Sequence, residues 1–202
     1  MTYNPRDHYF KKAKDQNFAA RSVFKLEEID QKLKILKPGQ KILDLGASPG
    51  SWSQYCSQKI GADGRILGVD LKAVTVKLSN ASFIQADLRD LNLDDTFKEH
   101  GFTTAFDLVI SDMAPNTTGI RMTDQARSFD LCDLALSVSQ RFLKKDGHFV
   151  CKLFHSDDFS ELREKIKNDF EKFHAIKPDS TRKISKEIFL IGVKKKTYPT
   201  QM

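Results

Sequence analysis

Lys41-Ile-Leu-Asp-Leu-Gly-Ala-Ser-Pro-Gly-Ser-Trp52 is the stretch whose reading decides the fold. Its first five residues are a short, nearly continuous apolar run, the pattern of a strand covered on both faces. Gly46, Pro49 and Gly50 then make a turn, and Ser51 to Ile60 continues as a helix. A strand, a glycine-bearing turn and a helix in that order form the ligand-facing corner of an open α/β sheet. The spacing after Gly46 is GxxxG, so this is not a GxGxxG dinucleotide fingerprint. No Gly-Lys-Ser/Thr follows, so it is not a P-loop either.

The same alternation continues along the chain. Arg65–Val69, Ala81–Gln85, Phe106–Ile110 and Gly147–Phe154 read as further buried strands. Thr123 to Leu143 reads as a long amphipathic helix with Ala126, Phe129, Leu134, Leu136 and Val138 on its apolar face. Asp158 to Phe173 reads as another, and Phe18 to Leu33 as a leading helix carrying Phe24, Leu26, Ile29 and Leu33. Lys186–Val193 is a last strand, reached from Phe173–Ile176 through a Pro178-Asp-Ser turn too short for a helix. These two runs predict an antiparallel hairpin at the C-terminal edge of an otherwise mostly parallel sheet, with helices on both faces. At 202 residues the chain reads as a single domain, 1–202, with a basic N-terminal extension (about 1–17) and a short basic tail (about 194–202).

Composition excludes several classes. No run approaches the ~18 apolar residues of a membrane span, and the charged start of the chain has no signal-peptide core. A cytoplasmic protein without a membrane role is the expectation. Cys56, Cys132 and Cys151 are too few and too scattered for a disulfide framework or zinc ribbon. The five histidines lack metal-site spacing, so no metal is expected. Charge is distributed unevenly: residues 1–41 are net +5, 42–160 net −4 and 161–202 net +5. If the two basic ends meet in space, they form a surface suited to a polyanion beside an acidic centre.

That acidic centre has a pattern. Asp70 closes the second strand twenty-four residues after Gly46, where a carboxylate accepts hydrogen bonds from a ribose diol. Asp87 closes the third strand and is placed for an adenine amino group. Asp44, inside the first strand, either orients the glycine turn or binds a ligand ammonium. Any one of these aspartates can be an ordinary helix cap or turn residue. Three in register suit a cationic nucleoside without phosphates, and S-adenosylmethionine has that character. Gly46 and Gly50 leave room for close backbone approach. Trp52 either flanks the methionine portion or packs its helix onto the sheet.

Asp112, in Ser111-Asp-Met-Ala-Pro-Asn116, follows the fourth strand at the pocket rim. Lys152 lies inside the fifth strand, in Val150-Cys-Lys-Leu-Phe154. A lysine there is costly to bury without a partner. It is a candidate proton acceptor or positioned cation. Lys25 and Glu187, read singly, are ordinary surface charges.

The segments RSVFKLEEID (21–30), ILDLGASPGSWSQ (42–54), SDMAPNTTG (111–119), FVCKLF (149–154) and KPDSTRKISKEIFLI (177–191) together resemble the FtsJ family of S-adenosylmethionine-dependent RNA ribose 2′-O-methyltransferases, particularly its bacterial large-subunit rRNA members. The resemblance implies a Rossmann-like methyltransferase fold and a catalytic set of Lys25, Asp112, Lys152 and Glu187. It also implies cofactor contacts from Gly50, Trp52, Asp70, Asp87 and Asp112. The substrate it implies is a uridine of 23S rRNA within the large ribosomal subunit, methylated by a monomer. Lys11, Lys12, Lys14, Arg21, Arg182, Lys183 and the Lys194–Lys196 run are candidate phosphate contacts. Two positions depart from the family pattern: Ser51 replaces a second glycine, and Ala19-Ala-Arg21 replaces an Arg-Ser-Arg run. A tRNA methyltransferase, a non-catalytic S-adenosylmethionine- or RNA-binding module and an NAD-dependent oxidoreductase are the competing readings, the last weakened by the missing GxGxxG.

Overall fold

The computed structural model describes residues 8–154, 159–182 and 185–197. Its strands are β1 (Lys41–Leu45), β2 (Arg65–Asp70), β3 (Ala81–Gln85), β4 (Phe106–Ser111), β5 (Leu143–Phe154), β6 (Phe170–Ile176) and β7 (Glu187–Lys195). The helices are α1 (His8–Asp15), α2 (Val23–Leu33), α3 (Ser51–Ile60), α4 (Leu93–Glu99), α5 (Arg121–Phe142) and α6 (Phe159–Asp169). All seven strands join one sheet in the order β3-β2-β1-β4-β5-β7-β6. The first five are parallel, and β7 and β6 pair antiparallel at the end. The mostly parallel sheet with its C-terminal edge hairpin is the expected architecture, and β7 lies inside that hairpin against β5.

Side chains alternate across the sheet and feed two cores. Leu43, Leu45, Val109 and Phe149 meet α5 and α6 through Cys132, Ala135, Leu162 and Ile166. Ile42, Leu108, Val150 and Phe189 meet α2 and α3 through Phe24, Ile29, Trp52 and Cys56 on the other side. Asp44 and Lys152 occupy positions in register with this second set, so both point toward the α2–α3 layer. Each of the fully buried phenylalanines contributes roughly 1.5–3 kcal/mol relative to an exposed side chain.

Several element boundaries differ from expectation. The leading helix begins at Val23, not Phe18. Asn17 takes a left-handed conformation (φ 57°) that ends α1, and Gln54 bonds the Ala19 amide and the Asn17 carbonyl. Those bonds hold residues 17–19 in a turn. The helix expected over 158–173 stops at Asp169, because from Phe170 the chain pairs with β7 and Phe170 stacks on Phe149. On α5, Ala126 is exposed, while the core face carries Ser128, Cys132, Ala135, Leu136, Val138 and Ser139. Small residues there let the helix approach the sheet closely. α1 and α4 carry little pattern in the sequence because each buries a single residue, Ala13 and Phe97 respectively. Among the described residues, no helix is long and apolar enough to cross a membrane.

Candidate active site

The carboxyl ends of β1, β2, β3 and β4 surround a cleft of about 360 Å³. Gly46, Ser48, Asp70, Asp87, Asp112 and Met113 contribute to its walls, with Leu71, Ala86 and Leu88 as an apolar side. Gly46 adopts φ 78°, and a Cβ there would lie 2.8 Å from the Met113 backbone. The glycine therefore lets the β1 turn and the β4 loop touch. Asp70 accepts the Ser48 amide on one oxygen (2.9 Å) and the Lys72 amide on the other (2.7 Å). It organises two turns, and each carboxylate oxygen keeps a lone pair for a ligand hydroxyl. Asp87 accepts the Arg89 amide at 3.0 Å and lies 3.6 Å from its guanidinium. Lys72 and Arg89 also line the cleft, so its rim is mixed in charge.

Three residues expected at the cofactor are not among those lining this cleft. Trp52 is 3% exposed, packs on Phe189 with ring centroids 5.7 Å apart, and donates its indole N–H to the Ser22 carbonyl. Of the two roles left open, its side chain takes the packing one. Gly50 stands at the start of α3 with φ 113°, where a Cβ would strike Val76 at 2.3 Å. Asp44 is fully buried and accepts the Ser53 hydroxyl at 2.6 Å, which ties β1 to α3. Its other oxygen, Oδ1, is buried with no hydrogen-bond partner. Burial above all, with help from nearby Asp112 and Asp70 and against the Ser53 bond, pushes its pKa up to about 7. Nothing in the sequence marked Ser53 as its partner except the i+9 spacing across the turn.

Beside the cleft stand two ion pairs. Lys152 Nζ donates to Asp112 Oδ1 at 2.8 Å and to the Asp112 carbonyl at 2.7 Å. Lys25 pairs with Glu187. Side-chain exposures of 7, 17, 13 and 11% for Lys152, Asp112, Lys25 and Glu187 make all four largely desolvated. Such charges persist only when paired, and breaking one pair leaves its partner costly. The surface-charge reading of Lys25 and Glu187 is therefore corrected. The register places them near Lys152: Phe189 faces Lys152 across the β5–β7 pair, Glu187 faces Phe154, and alternate residues share a face. Lys25 lies 5.9 Å from the Phe189 ring centroid. Asp112 belongs to both assemblies, lining the cleft and holding Lys152. An amine is thus fixed at the mouth of a nucleoside-sized pocket.

The candidate phosphate contacts divide. Lys11, Lys14 and Arg182 are exposed. Lys12 lies over the Phe24 ring and 3.9 Å from Glu27, and Arg21 donates to the Ser180 carbonyl and faces Tyr9. Lys183 lies outside the described residues. The Lys194–Lys196 run has other employment: Lys195 donates to carbonyls ending α5, Lys196 to those ending α6, and Lys194 lies 3.6 Å from Glu171. The basic ends do meet, because Glu28 on α2 accepts the amides of Asp179 and Ser180.

The sequence reading also passed over Asp124. It accepts the Thr118 amide (2.7 Å), the Thr118 hydroxyl (2.9 Å) and the Gly119 amide (3.2 Å), and so fixes the loop between the cleft and α5. An acid following Thr-Thr-Gly at a helix start was the available signal.

Residues 18–195 match the FtsJ-like methyltransferase family. A protein of Bdellovibrio bacteriovorus, named ribosomal RNA large subunit methyltransferase E, is 76% identical over 196 residues, covering 97% of this chain and 100% of its own. A namesake from Syntrophobacter fumaroxidans is 47% identical, covering 96% of this chain and 98% of its own. Among solved structures, a putative ribosomal RNA methyltransferase from Plasmodium falciparum superposes with a TM-score of 0.78 at 27% identity, covering 88% of this chain and 98% of that one. Fibrillarin from Aeropyrum pernix, crystallised with natively bound S-adenosyl-L-methionine, gives 0.56 at 16% identity, covering 85% and 76%, a likeness of fold alone.

Proposed function

We propose that this chain, which belongs to the FtsJ-like methyltransferase family, transfers the methyl group of S-adenosylmethionine to a ribose 2′-hydroxyl of large-subunit ribosomal RNA, with a uridine as its target. The observation that carries the reading is Asp112, which lines the nucleoside-sized cleft and also holds the buried Lys152. The donor set fits the cofactor. Asp70 offers acceptors for a ribose diol, Asp87 one for an amino group, and Leu71, Ala86 and Leu88 an apolar wall for a purine ring. The start of α3, which follows the cleft-lining Ser48 and Pro49, is a helix end whose unpaired N–H groups suit a carboxylate. When bound, the cofactor supplies an electrophilic methyl on a sulfonium.

The chain's own residues do the rest. A ribose hydroxyl is a weak nucleophile, so its proton needs an acceptor and its oxygen a fixed position. We assign both tasks to Lys152 Nζ, which takes the hydroxyl proton as the neutral amine and becomes the ammonium that Asp112 holds. Asp112 fixes the rotamer of that amine through two hydrogen bonds. Lys25 and Glu187 complete the charge set on the same face and position the entering ribose. Much of the acceleration then comes from alignment, since a held oxygen and a held methyl donor react as one molecule. We read residues 1–202 as one catalytic domain, acting as a monomer in the cytoplasm. RNA already folded in the large subunit is the substrate form that this reading favours.

The test is transfer of labelled methyl to unmodified large subunits, naked rRNA and tRNA, with Lys152→Ala alongside. Label on subunits, lost in Lys152→Ala while cofactor affinity is retained, is the expected outcome. Near-normal turnover by the variant would remove Lys152 from the chemistry. Label confined to tRNA would replace the target.

A further inference from the structure

The large hydrophobic side chains left exposed among the described residues are Phe10, Leu71, Ile120 and Met122. Leu71 belongs to the cleft wall. Ile120 and Met122 are 63 and 81% exposed, stand on either side of exposed Arg121, and open α5. Their position follows from one hydrogen bond and the rise of the helix. The Phe154 amide donates to Ser128 Oγ at 3.0 Å, which sets Ser128 level with the end of β5. The seven residues of α5 before Ser128 then extend roughly 10 Å beyond the sheet's carboxyl edge, at 1.5 Å per residue. This overhang rises beside β5, the strand that carries Lys152.

The overhang is fixed rather than loose. Asp124, 9% exposed, takes three bonds from Thr118 and Gly119, and Arg127 Nη1 donates to the carbonyl of Asn116, a residue of the cleft wall. Two apolar side chains are therefore held in water beyond the carboxyl edge of the sheet, on the α5 side of β5 while Lys152 stands on its other side, with cationic Arg121 between them. Holding apolar groups there costs free energy unless something covers them during function.

The recess of Lys152 identifies the cover. For a ribose to reach an amine that is only 7% exposed, its nucleotide would have to be drawn out of the stack, as it is where enzymes act on a buried base. Its departure strips a neighbouring base of one stacking face. We propose that Ile120 and Met122 form an apolar prop that receives the unstacked base next to the target nucleotide, while Arg121 meets the adjoining phosphate. The occupant is an RNA base because apolar side chains interleaved with arginines suit stacked bases and a phosphodiester chain together. This inference rests on the RNA ribose methyltransferase reading and adds to it a substrate contact.

The experiment uses the full chain and unmodified large ribosomal subunits. An Ile120→Ser, Met122→Ser double variant is expected to lose roughly tenfold in kcat/KM, through KM for subunits. Cofactor affinity and the salt dependence of subunit binding should not change, because apolar contacts release no counterions. Met122→Leu should stay within about twofold of the unaltered enzyme, and Arg121→Ala should lower the salt slope. A double variant within twofold overturns the prop, and so does a loss of cofactor affinity, which would make the loop a scaffold. Cys56, Cys132 and Cys151 are all buried, so Met122→Cys gives an accessible thiol for a photoreactive azide. Crosslinking to RNA supports the proposal, and crosslinking to a ribosomal protein overturns it. An unaltered enzyme that transfers no methyl overturns the functional reading itself. That failure is recognised before any substitution, and the crosslink, which needs no turnover, still decides the contact.

Discussion

A buried acid without enough partners is the residue whose behaviour is easiest to anticipate from chemistry alone. Asp44 is 0% exposed, one of its oxygens accepts from Ser53, and the other has no partner. Its pKa stands at about 7 in the fold, against 3.8 ordinarily, chiefly through desolvation. The folded state therefore binds a proton that the unfolded chain has released between about pH 4 and pH 7. Stability from this group is full below pH 4 and is lost as pH rises through about 7, with a slope of up to ~1.4 kcal/mol per unit. Asp44→Asn keeps the Ser53 acceptor and cannot ionise. Urea unfolding at pH 5.5 and pH 8 should show a steeper loss in the unaltered protein than in the variant, and parallel losses would refute the assignment. The sequence revealed the aspartate but not its burial partner. Lys152 was more legible: an amine among Val150, Cys151, Leu153 and Phe154 must be buried, and a buried amine must be paired. Lys25 and Glu187 were illegible singly, because 162 positions separate them and only the meeting of α2 with β7 makes them a pair.

Elements were legible where burial was two-sided. β1, β2, β4 and the last residues of β5 announced themselves as apolar runs, whereas Ala81–Gln85, expected buried, is the half-exposed edge strand β3; the absence of room for a helix after Phe173 gave the antiparallel edge. The ends of the helices were decided by tertiary bonds that no local pattern carries. α5 ends where Lys195, arriving from β7, donates to the carbonyls of Ser139, Gln140 and Leu143. A terminal helical carbonyl lacks an internal donor, and a cation there also meets the negative end of the helix dipole. Burial lowers the Lys195 pKa, consistent with an amine turned into the protein. Lys195→Met should therefore cost about 1–2 kcal/mol, or roughly 2–8 °C in Tm, without altering the salt dependence of RNA binding. Unchanged stability with a weaker salt slope would return Lys195 to the RNA surface suggested by its sequence. The same tertiary logic explains Ser51, which departs from the family glycine. Its hydroxyl lies 3.0 Å from that of Ser22, joining the start of α3 to the helix that bears Lys25.

Across the whole molecule, charge is sorted by position. The basic first and last segments, separate in sequence, are brought together where Glu28 holds the 179–180 loop and Arg21 holds Ser180. Several basic side chains in this region are consumed by the fold: Lys12 by Phe24 and Glu27, Arg21 by Ser180 and Tyr9. Lys11 and Lys14 remain exposed, and their i, i+3 spacing sets them on one face of α1. Net charge alone therefore overstates the polyanion surface, and these two lysines are the place to measure it. Each phosphate neutralised by a lysine contributes about 0.7 to 0.9 to the slope of log affinity against log salt. A Lys11→Ala, Lys14→Ala double variant should thus lower that slope by roughly 1.4 to 1.8 for large-subunit RNA, with weakening greatest at low salt. Cofactor affinity should hold, because the cleft draws on other elements, β1 to β4 and the loops that follow them. A slope equal to that of the unaltered enzyme would mean that RNA approaches over the α5 overhang without crossing α1, and the footprint would then centre on Arg121 and Arg127.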